Sequence, residues 1–319
     1  MNRYEYRRPQ MGTLFRLILY APDEAAARKA AEAAFQRIET LEAILSDYRS
    51  DSELARLCRL GHHQPQVVSR DLFHVLERSL YFSELSNGAF DITVKPLVRL
   101  WQTAGKTHRW PDPVALRRAR AKVGYRHVIL NPRIRSLRLE LSGMELDLGA
   151  IGKGFAADEA LRLLRQAGIR RALIDAGGDL RLGDAPPGSR GWTVRIEDPK
   201  NGAQPGHLIL HDCAIATSSG GYRFVELGGL RLSHILDPHT GRGIRQGGVV
   251  SVLAPDCLTA DALSTTVSVL GPEKGMDLIH RIDGVEARIQ VRTNGKTLTT
   301  VSDGFPSPSQ PWPIATPEP

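Results

Sequence analysis

The sequence of 319 residues contains only three cysteines, Cys58, Cys213 and Cys257, and they are far apart. An odd number of widely separated cysteines predicts no disulfide framework, and their spacing does not match that of metal-binding motifs. The simplest interpretation is that these residues are buried or unreactive thiols.

Long apolar runs are also absent. No segment approaches the ~20 apolar residues of a membrane-spanning helix, and the N-terminal MNRYEYRR lacks the apolar stretch of a secretory signal. We therefore predict no transmembrane segment and a cytoplasmic location for the chain as given. A periplasmic or membrane-anchored form, from which a leader has been removed, stays open as the alternative.

The charge is basic, with a formal net charge of +7 and an isoelectric point near 9.5. Such a charge favours anionic partners such as phosphate-bearing ligands, nucleic acid or an anionic membrane. The 42 lysines and arginines are spread along the chain and form no basic stripe, so we predict no nucleic-acid binding. A basic but merely solvated surface would explain the charge equally well.

The hydrophobic periodicity predicts long helices mixed with hairpin-like strands, which is typical of an α+β fold. Helices are predicted over 23–45, 70–86, about 155–167 and 260–270, and strands over 13–20, 128–130, 136–141, 144–148 and 171–175. The Pro-rich tail, 306–319, is predicted to be disordered.

A glycine-rich loop, Asp147-Leu-Gly-Ala-Ile-Gly-Lys-Gly154, is predicted between a strand and a helix. Glycines let backbone N–H groups approach a phosphate, the helix N-terminus adds a positive dipole, and Lys153 can neutralise phosphate charge. The loop is not a Walker A motif, because Gly154 follows the lysine where Ser or Thr would bind magnesium. By itself such a loop is more often only a turn.

The segment Ala260-Asp-Ala-Leu-Ser-Thr265 is predicted to form the first turns of a helix. Asp261 and Thr265 are four residues apart and share one helix face, so their oxygens could bind Mg²⁺. The alternative is that Asp261 only caps the start of the helix.

The segment Ser233-His-Ile-Leu-Asp-Pro-His-Thr-Gly241 offers a candidate general base, since a neutral His234 can accept a proton near pH 7. Asp237 before Pro238 is typical of a turn. A single histidine is more often a structural hydrogen-bonding residue. Two glycine-rich segments, 176–179 and 217–222, predict further close backbone approaches.

The segment 86–101 places Ala89, Phe90 and Asp91 directly after a predicted helix end. A small residue, an aromatic ring and a carboxylate could seat a planar ring and hydrogen-bond its edge. Equally, Phe90 and the apolar residues that follow it could belong to the core.

Together and in this order, these motifs resemble the ApbE family of FAD:protein FMN transferases. The likeness extends from about Met11 to Phe305, nearly the whole chain. The segments that carry it are MGT at 11–13, LSDYRSDSELARL at 45–57, NGAFDITVKPLVRLW at 87–101, ELDLGAIGKGFAAD at 145–158, LIDAGGDLR at 173–181, ATSSGGY at 216–222, SHILDPHTG at 233–241 and ADALST at 260–265. Departures are small: Gly152 stands where alanine is common in the family.

The resemblance implies a two-lobed, T-fold-like α+β architecture with mixed, largely antiparallel sheets packed by helices, as one domain over residues 1–305. It also implies roles for individual residues. The family's contacts with FAD match Met11, Tyr48, Ala89, Phe90, Asp91, Asp147, Lys153 and Ile235. Its Mg²⁺ site matches the carbonyl of Ala150 with Asp261 and Thr265, with Ser264 as a further candidate ligand, and its catalytic histidine matches His234.

The activity that the resemblance implies is Mg²⁺-dependent cleavage of FAD, its substrate, with transfer of FMN to a Thr or Ser of an acceptor protein and release of AMP. The family usually modifies electron-transfer subunits. A similar site using water would make the chain an FAD pyrophosphatase, and a site without catalysis would make it an FAD-binding protein.

Overall fold

The computed structural model describes residues 1–196, 206–220, 224–244, 248–293, 296–307 and 312. The helices of this part of the chain are α1 (Glu24–Leu45), α2 (Glu53–Leu60), α3 (Arg70–Leu85), α4 (Lys95–Thr107), α5 (Pro113–Arg120), α6 (Gly152–Gln166), α7 (Cys257–Leu270) and α8 (Pro272–Ile279). Single 3₁₀ turns occupy Ile92–Val94 and Tyr125–His127.

Most strands of the described residues lie in the second half of the chain, where several consecutive strands pair as hairpins. They are β1 (Asn2–Gln10), β2 (Thr13–Ala21), β3 (Gln66–Val67), β4 (Val128–Asn131), β5 (Ser136–Leu139), β6 (Ala172–Ala176), β7 (Leu180–Leu182), β8 (Trp192–Ile196), β9 (Gly206–Leu210), β10 (Ala214–Ser219), β11 (Phe224–Leu227), β12 (Leu230–Ser233), β13 (Leu236–Asp237), β14 (Arg242–Gly243), β15 (Gly248–Ala254), β16 (Glu286–Thr293) and β17 (Lys296–Val301).

The main sheet has the strand order β1-β2-β6-β7-β10-β15-β16-β17 among the described residues, and each of these pairings is antiparallel. The position of strand β2 explains why its residues are apolar on both faces. Phe15, Leu17 and Leu19 point into the large core beneath the helices, whereas Ile18 and Tyr20 pack in a second cluster with Trp192 on the other side of the sheet. The strand is thus buried between two layers, as a long apolar run requires.

Helices α1, α6 and α7 cover one face of this sheet and pack on one another. A third apolar cluster joins α4 and α5 to the small β11–β12 and β13–β14 hairpins, with Trp101 donating its indole N–H to the carbonyl of Gly241 at 2.8 Å. The hairpins that carry His234 are therefore fixed to α4.

The predicted α+β class with largely antiparallel sheets is confirmed, and the predicted helices occur within a few residues of their expected bounds. Helix α6, the third of the four predicted helices, begins at Gly152, inside the glycine-rich loop. It ends before Gly168, which has a φ of +80°. None of the described helices combines the length and apolarity needed to cross a bilayer.

The predicted strand over Met144–Leu148 is wrong. The side chains of Met144, Leu146 and Leu148 are buried in alternation, as predicted, but the backbone pairs with no neighbouring described strand. Leu146 donates its N–H to the Sγ of Cys58 at 3.4 Å, and Asp147 donates to the carbonyl of Ile92 at 2.7 Å. Alternation shows which side chains are buried, whereas a strand also needs a partner strand.

The tail predicted to be disordered lies largely outside the described residues. Of 306–319, only residues 306, 307 and 312 are described. Trp312 is buried, and its backbone N–H donates to the carbonyl of Ile209 at 3.2 Å. The division into one domain over 1–305 and a tail stays a prediction.

Candidate active site

Helix α7 begins earlier than the sequence predicted, and this decides the position of Asp261. The N-cap is Asp256, whose carboxylate accepts the N–H of Thr259 at 2.7 Å. Asp261 is the fifth residue of the helix and is 3% exposed. It therefore does not cap the helix, and the capping alternative for this carboxylate is wrong.

The carboxylate of Asp261 faces the first turn of α6, because α6 and α7 approach each other very closely. A Cβ on Gly154 would lie 2.3 Å from the carbonyl oxygen of Cys257, so only glycine allows this approach. The N–H of Gly154 donates to Oδ2 of Asp261 at 3.2 Å. The N-terminal end of α6 thus adds its dipole to a site with a buried carboxylate.

Lys153 lies between two carboxylates and a carbonyl. Its Nζ is 2.9 Å from Oδ2 of Asp179 and 3.3 Å from Oδ2 of Asp261, and it donates to the carbonyl of Gly149 at 3.1 Å. Burial opposes its charge, but Asp179 and Asp261 outweigh burial and raise the pKa of the ammonium above its ordinary value. Burial also raises the pKa of the Asp261 carboxyl, against the effect of Lys153.

Three hydroxyl groups extend this cluster. The Oγ of Ser218, on β10, is 2.8 Å from Oγ of Ser264 and 3.3 Å from Oγ1 of Thr265. Ser264 also donates to the carbonyl of Asp261 at 2.9 Å. Strand β10 and helix α7 therefore bring three hydroxyl groups together, two of them within four residues of Asp261 in α7.

The donors of this cluster suit a hard cation. In the described part of the chain, no group of three or more His, Cys, Asp and Glu side chains is close enough to hold a metal. Carboxylate, hydroxyl and loop carbonyl oxygens are the ligand types of an ion that keeps waters and takes phosphate oxygens. Ala150 follows Gly149 in the same loop. The residues present fit Mg²⁺.

A second group of residues surrounds Asp147, at the other end of the glycine-rich loop. Oδ1 of Asp147 accepts the N–H of Gly149 at 2.9 Å, and Oδ2 lies 3.7 Å from Nζ of Lys95. The same ammonium donates to Asp47 and lies 4.6 Å from the ring centre of Tyr48. Burial and Asp47 raise the pKa of Asp147, and Lys95 opposes them.

Met11 reaches the same loop from the turn between β1 and β2, where it has a φ of +50°. A Cβ on Gly152 would lie 3.7 Å from the Cε of Met11. Its methyl group therefore lies beside the first turn of α6, near Lys153.

The side chains of Ala89, Phe90 and Asp91 make contacts within the folded chain. Ala89 and Phe90 are buried, and Phe90 packs edge-to-face on Phe82. Oδ1 of Asp91 accepts the N–H of Thr93 at 2.8 Å, and its Oδ2 accepts the N–H of Tyr125 at 2.9 Å. Their contact with FAD stays a prediction.

His234 is exposed and lies between β12 and β13. Its neighbour Ile235 is buried and donates its N–H to Oγ of Ser233 at 3.1 Å. Further along this segment, Nε2 of His239 lies 2.9 Å from the carbonyl of Asn87, so the segment packs on the turn that precedes Ala89. Residues 221 and 222 of the predicted glycine-rich approach lie outside the described residues.

Comparison with known proteins shows the family of this chain. A family model described as the ApbE family matches residues 11–289, which is most of the chain. The chain belongs to the ApbE family. The predicted family and enzyme class are therefore confirmed.

Relatives from several organisms support the ApbE assignment. The FAD:protein FMN transferase of Treponema pallidum (strain Nichols) is 38% identical, over 89% of this chain and 83% of the relative. The FAD:protein FMN transferase of Escherichia coli (strain K12) is 33% identical, over 93% and 86%. Among solved structures, the flavin transferase ApbE from Vibrio cholerae superposes with a TM-score of 0.85 at 29% identity, over 95% of this chain and 98% of that one. The apo form of the Pseudomonas stutzeri flavinyl transferase ApbE gives a TM-score of 0.84 at 29% identity, over 95% of each chain.

The structure adds four residues to the candidate site that the sequence did not single out as binding or catalytic, namely Asp47, Lys95, Asp179 and Ser218. Asp47 precedes Tyr48, Lys95 stands four residues after Asp91, and the other two lie in the glycine-rich segments. Their positions within the motifs quoted above could have marked them as candidate site residues. The residues that they contact could not be predicted from the sequence, because each contact joins segments far apart in the chain.

Proposed function

We propose that this chain is a Mg²⁺-dependent FAD:protein FMN transferase, which attaches FMN through a phosphoester bond to a Thr or Ser of an acceptor protein and releases AMP. The observation that carries the proposal is the buried carboxylate of Asp261, which lies 3.3 Å from Nζ of Lys153 in a chain of the ApbE family. Cleaving a pyrophosphate needs positioning and charge neutralisation more than covalent chemistry.

Asp261, Thr265 and the carbonyl of Ala150 would hold Mg²⁺, with Ser264 beside them. When bound, the ion neutralises charge on the two phosphates and stabilises the AMP leaving group. Lys153 contributes a second positive charge. Asp179, 2.9 Å from Nζ, gives Lys153 a carboxylate partner besides Asp261. The ammonium therefore stays anchored while Asp261 serves as a ligand.

His234 would take the proton of the acceptor hydroxyl. The hydroxyl oxygen then attacks the phosphorus of the FMN half, and the bond from this phosphorus to the bridging oxygen breaks as AMP leaves. An acceptor on another protein has to reach the base from outside. The exposed position of His234, on a segment fixed to α4, leaves the imidazole accessible to such an acceptor. We expect the acceptor to be an electron-transfer subunit.

The decisive experiment incubates the protein with FAD, Mg²⁺ and a candidate acceptor, and then detects flavin fluorescence on the acceptor in a denaturing gel. The acceptor should gain the mass of one FMN, and AMP should appear in equal amount. Release of FMN and AMP at the same rate without acceptor would make the chain a pyrophosphatase instead.

Two variants separate the proposed roles. Asp261→Asn should lose transfer together with its dependence on Mg²⁺, because the amide removes the charged ligand. His234→Gln should still bind FAD but lose transfer, because no base remains for the acceptor hydroxyl. Transfer by His234→Gln at the wild-type rate would show that the base lies elsewhere.

A further inference from the structure

Lys95, the first residue of α4, is a buried cation that connects three separate segments. It is 4% exposed, donates a hydrogen bond to Asp47 and lies 3.7 Å from Oδ2 of Asp147. Its Nζ also lies 4.6 Å from the ring centre of Tyr48. One ammonium thus contacts the loop after α1 and the loop before α6.

The charges around Lys95 make its position stable. A buried cation is tolerated when it is paired, and removing one partner of a buried pair leaves an uncompensated charge. Here two carboxylates face one ammonium, so neutralising Lys95 would leave Asp47 and Asp147 facing each other. Burial lowers the pKa of Lys95, but Asp147 and Asp47 outweigh burial and raise that pKa above its ordinary value.

Tyr48 is unusual because an aromatic side chain next to this buried cluster is 82% exposed. Its ring lies over the Lys95 ammonium, a cation–π contact that holds the ring in one place. Most of the ring surface remains accessible and can stack on a planar heteroaromatic group. Asp147, at the start of the glycine-rich loop, faces the same ammonium.

We propose that Lys95 is a positioning residue for FAD, which holds the ring of Tyr48 as a stacking platform and fixes the carboxylate of Asp147 beside it. This inference rests on the proposed function, since it assigns to Tyr48 and Asp147 a planar ring of FAD as their ligand. Lys95 acts through these two residues and does not take part in the transfer step.

The test measures the dissociation constant of FAD by the change in flavin fluorescence, and the steady-state KM and kcat, for wild type and Lys95→Met in the presence of Mg²⁺. Methionine is unbranched and one atom shorter than lysine, so it keeps most of the side chain's length but removes its charge. We expect FAD binding to weaken about ten-fold, the size of a partly desolvated cation–π contact. The KM for FAD should rise by much more than kcat falls, because binding is affected and chemistry is not.

Arg99 provides the matched control. It lies one turn further along α4 and forms an ion pair with Glu145 at 2.6 Å, at the exposed surface. Arg99→Met removes the same charge from the same helix and also releases a contact with the segment before the loop. It should bind FAD with a dissociation constant within about two-fold of wild type, because surface ion pairs contribute little.

A double-mutant cycle with Tyr48→Leu tests whether Lys95 acts through the ring. If it does, Lys95→Met should weaken FAD binding far less in the Tyr48→Leu background than in wild type. Equal effects in both backgrounds would overturn the proposal, as would wild-type affinity in Lys95→Met. If Lys95→Met does not fold, Asp47→Asn replaces it, and the same cycle decides. Wild-type protein that fails to bind FAD at all would instead overturn the proposed function.

Discussion

Gly154 is the residue on which the close approach of α6 and α7 depends, and with it the position of Asp261. Gly154→Ala places a Cβ 2.3 Å from the carbonyl oxygen of Cys257, so the helices must separate. We expect a loss of about 1–3 kcal/mol of unfolding free energy, as for other overpacked sites. This exceeds the ~1 kcal/mol that alanine gains over glycine inside a helix. Urea unfolding curves measure the difference.

The control for this prediction is Gly152→Ala, two residues earlier in α6. A Cβ at Gly152 would meet only ordinary contacts, the nearest being the Cε of Met11 at 3.7 Å. The variant should be as stable as wild type or slightly more stable. If Gly154→Ala were equally stable, the proposed close contact between the two helices would be wrong.

The three cysteines give a prediction about pH. Burial raises the pKa of the Cys58 thiol to about 11 and that of Cys213 to about 12, from an ordinary value of 9.0, and it also raises the pKa of Cys257. Only the thiolate reacts, so alkylation of Cys58 at pH 8 should be about 100-fold slower than that of a small thiol. Mass spectrometry after timed treatment with iodoacetamide checks this. Equal rates in native protein and in urea would contradict it.

Among the elements, α7 has one carboxylate that caps the helix, Asp256, and one that we propose as a metal ligand, Asp261. Asp256→Ala removes the N-cap and should reduce stability by about 1 kcal/mol, with Mg²⁺-dependent binding of FAD unchanged. Asp261→Asn keeps the cap and should abolish that dependence. Thermal unfolding and FAD titration, each with and without Mg²⁺, distinguish the two variants. Reversed results would mean that the helix begins where the sequence first placed it.

The sequence predicted a helix or strand well where the residues of that segment alone determine its structure. Helix α1 has a regular apolar face and begins after Asp23, whose carboxylate caps Ala26, and α6 ends before a glycine in the left-handed region. The segment 144–148 shows the limit of such signals. Its alternation is correct, yet its hydrogen bonds go to Cys58 and Ile92, and no local pattern encodes a partner so far away in the chain.

For the candidate site, too, the sequence predicted residues that lie close together in the chain but not the contacts between distant segments. The pair Asp261 and Thr265 follows from helix spacing, but resemblance to a family was needed to favour a ligand over a cap. The partners of Lys153 and Lys95 could not be predicted, because Asp179 and Asp47 come from other segments and meet the lysines only in the folded chain. The structure has to supply such pairs.

At the scale of the whole molecule, the site joins residues from Met11 to Thr265, so ligand binding should stabilise the entire chain. At 100 times its dissociation constant, a ligand that binds only the folded state adds ~2.7 kcal/mol. For a chain of this size the midpoint of unfolding should rise by roughly 4–8 °C. Differential scanning fluorimetry with Mg²⁺, with FAD and with both measures the shift.

The same experiment shows whether metal and FAD share one site. If Asp261 and Lys153 hold the ion and the phosphates together, FAD and Mg²⁺ should stabilise more together than the sum of each alone, because each increases the affinity for the other. Asp261→Asn should remove this excess and keep the smaller effect of FAD. If FAD raised the midpoint equally in EDTA and in Mg²⁺, the metal would lie apart from the phosphates, and the assignment of Asp261 would fail.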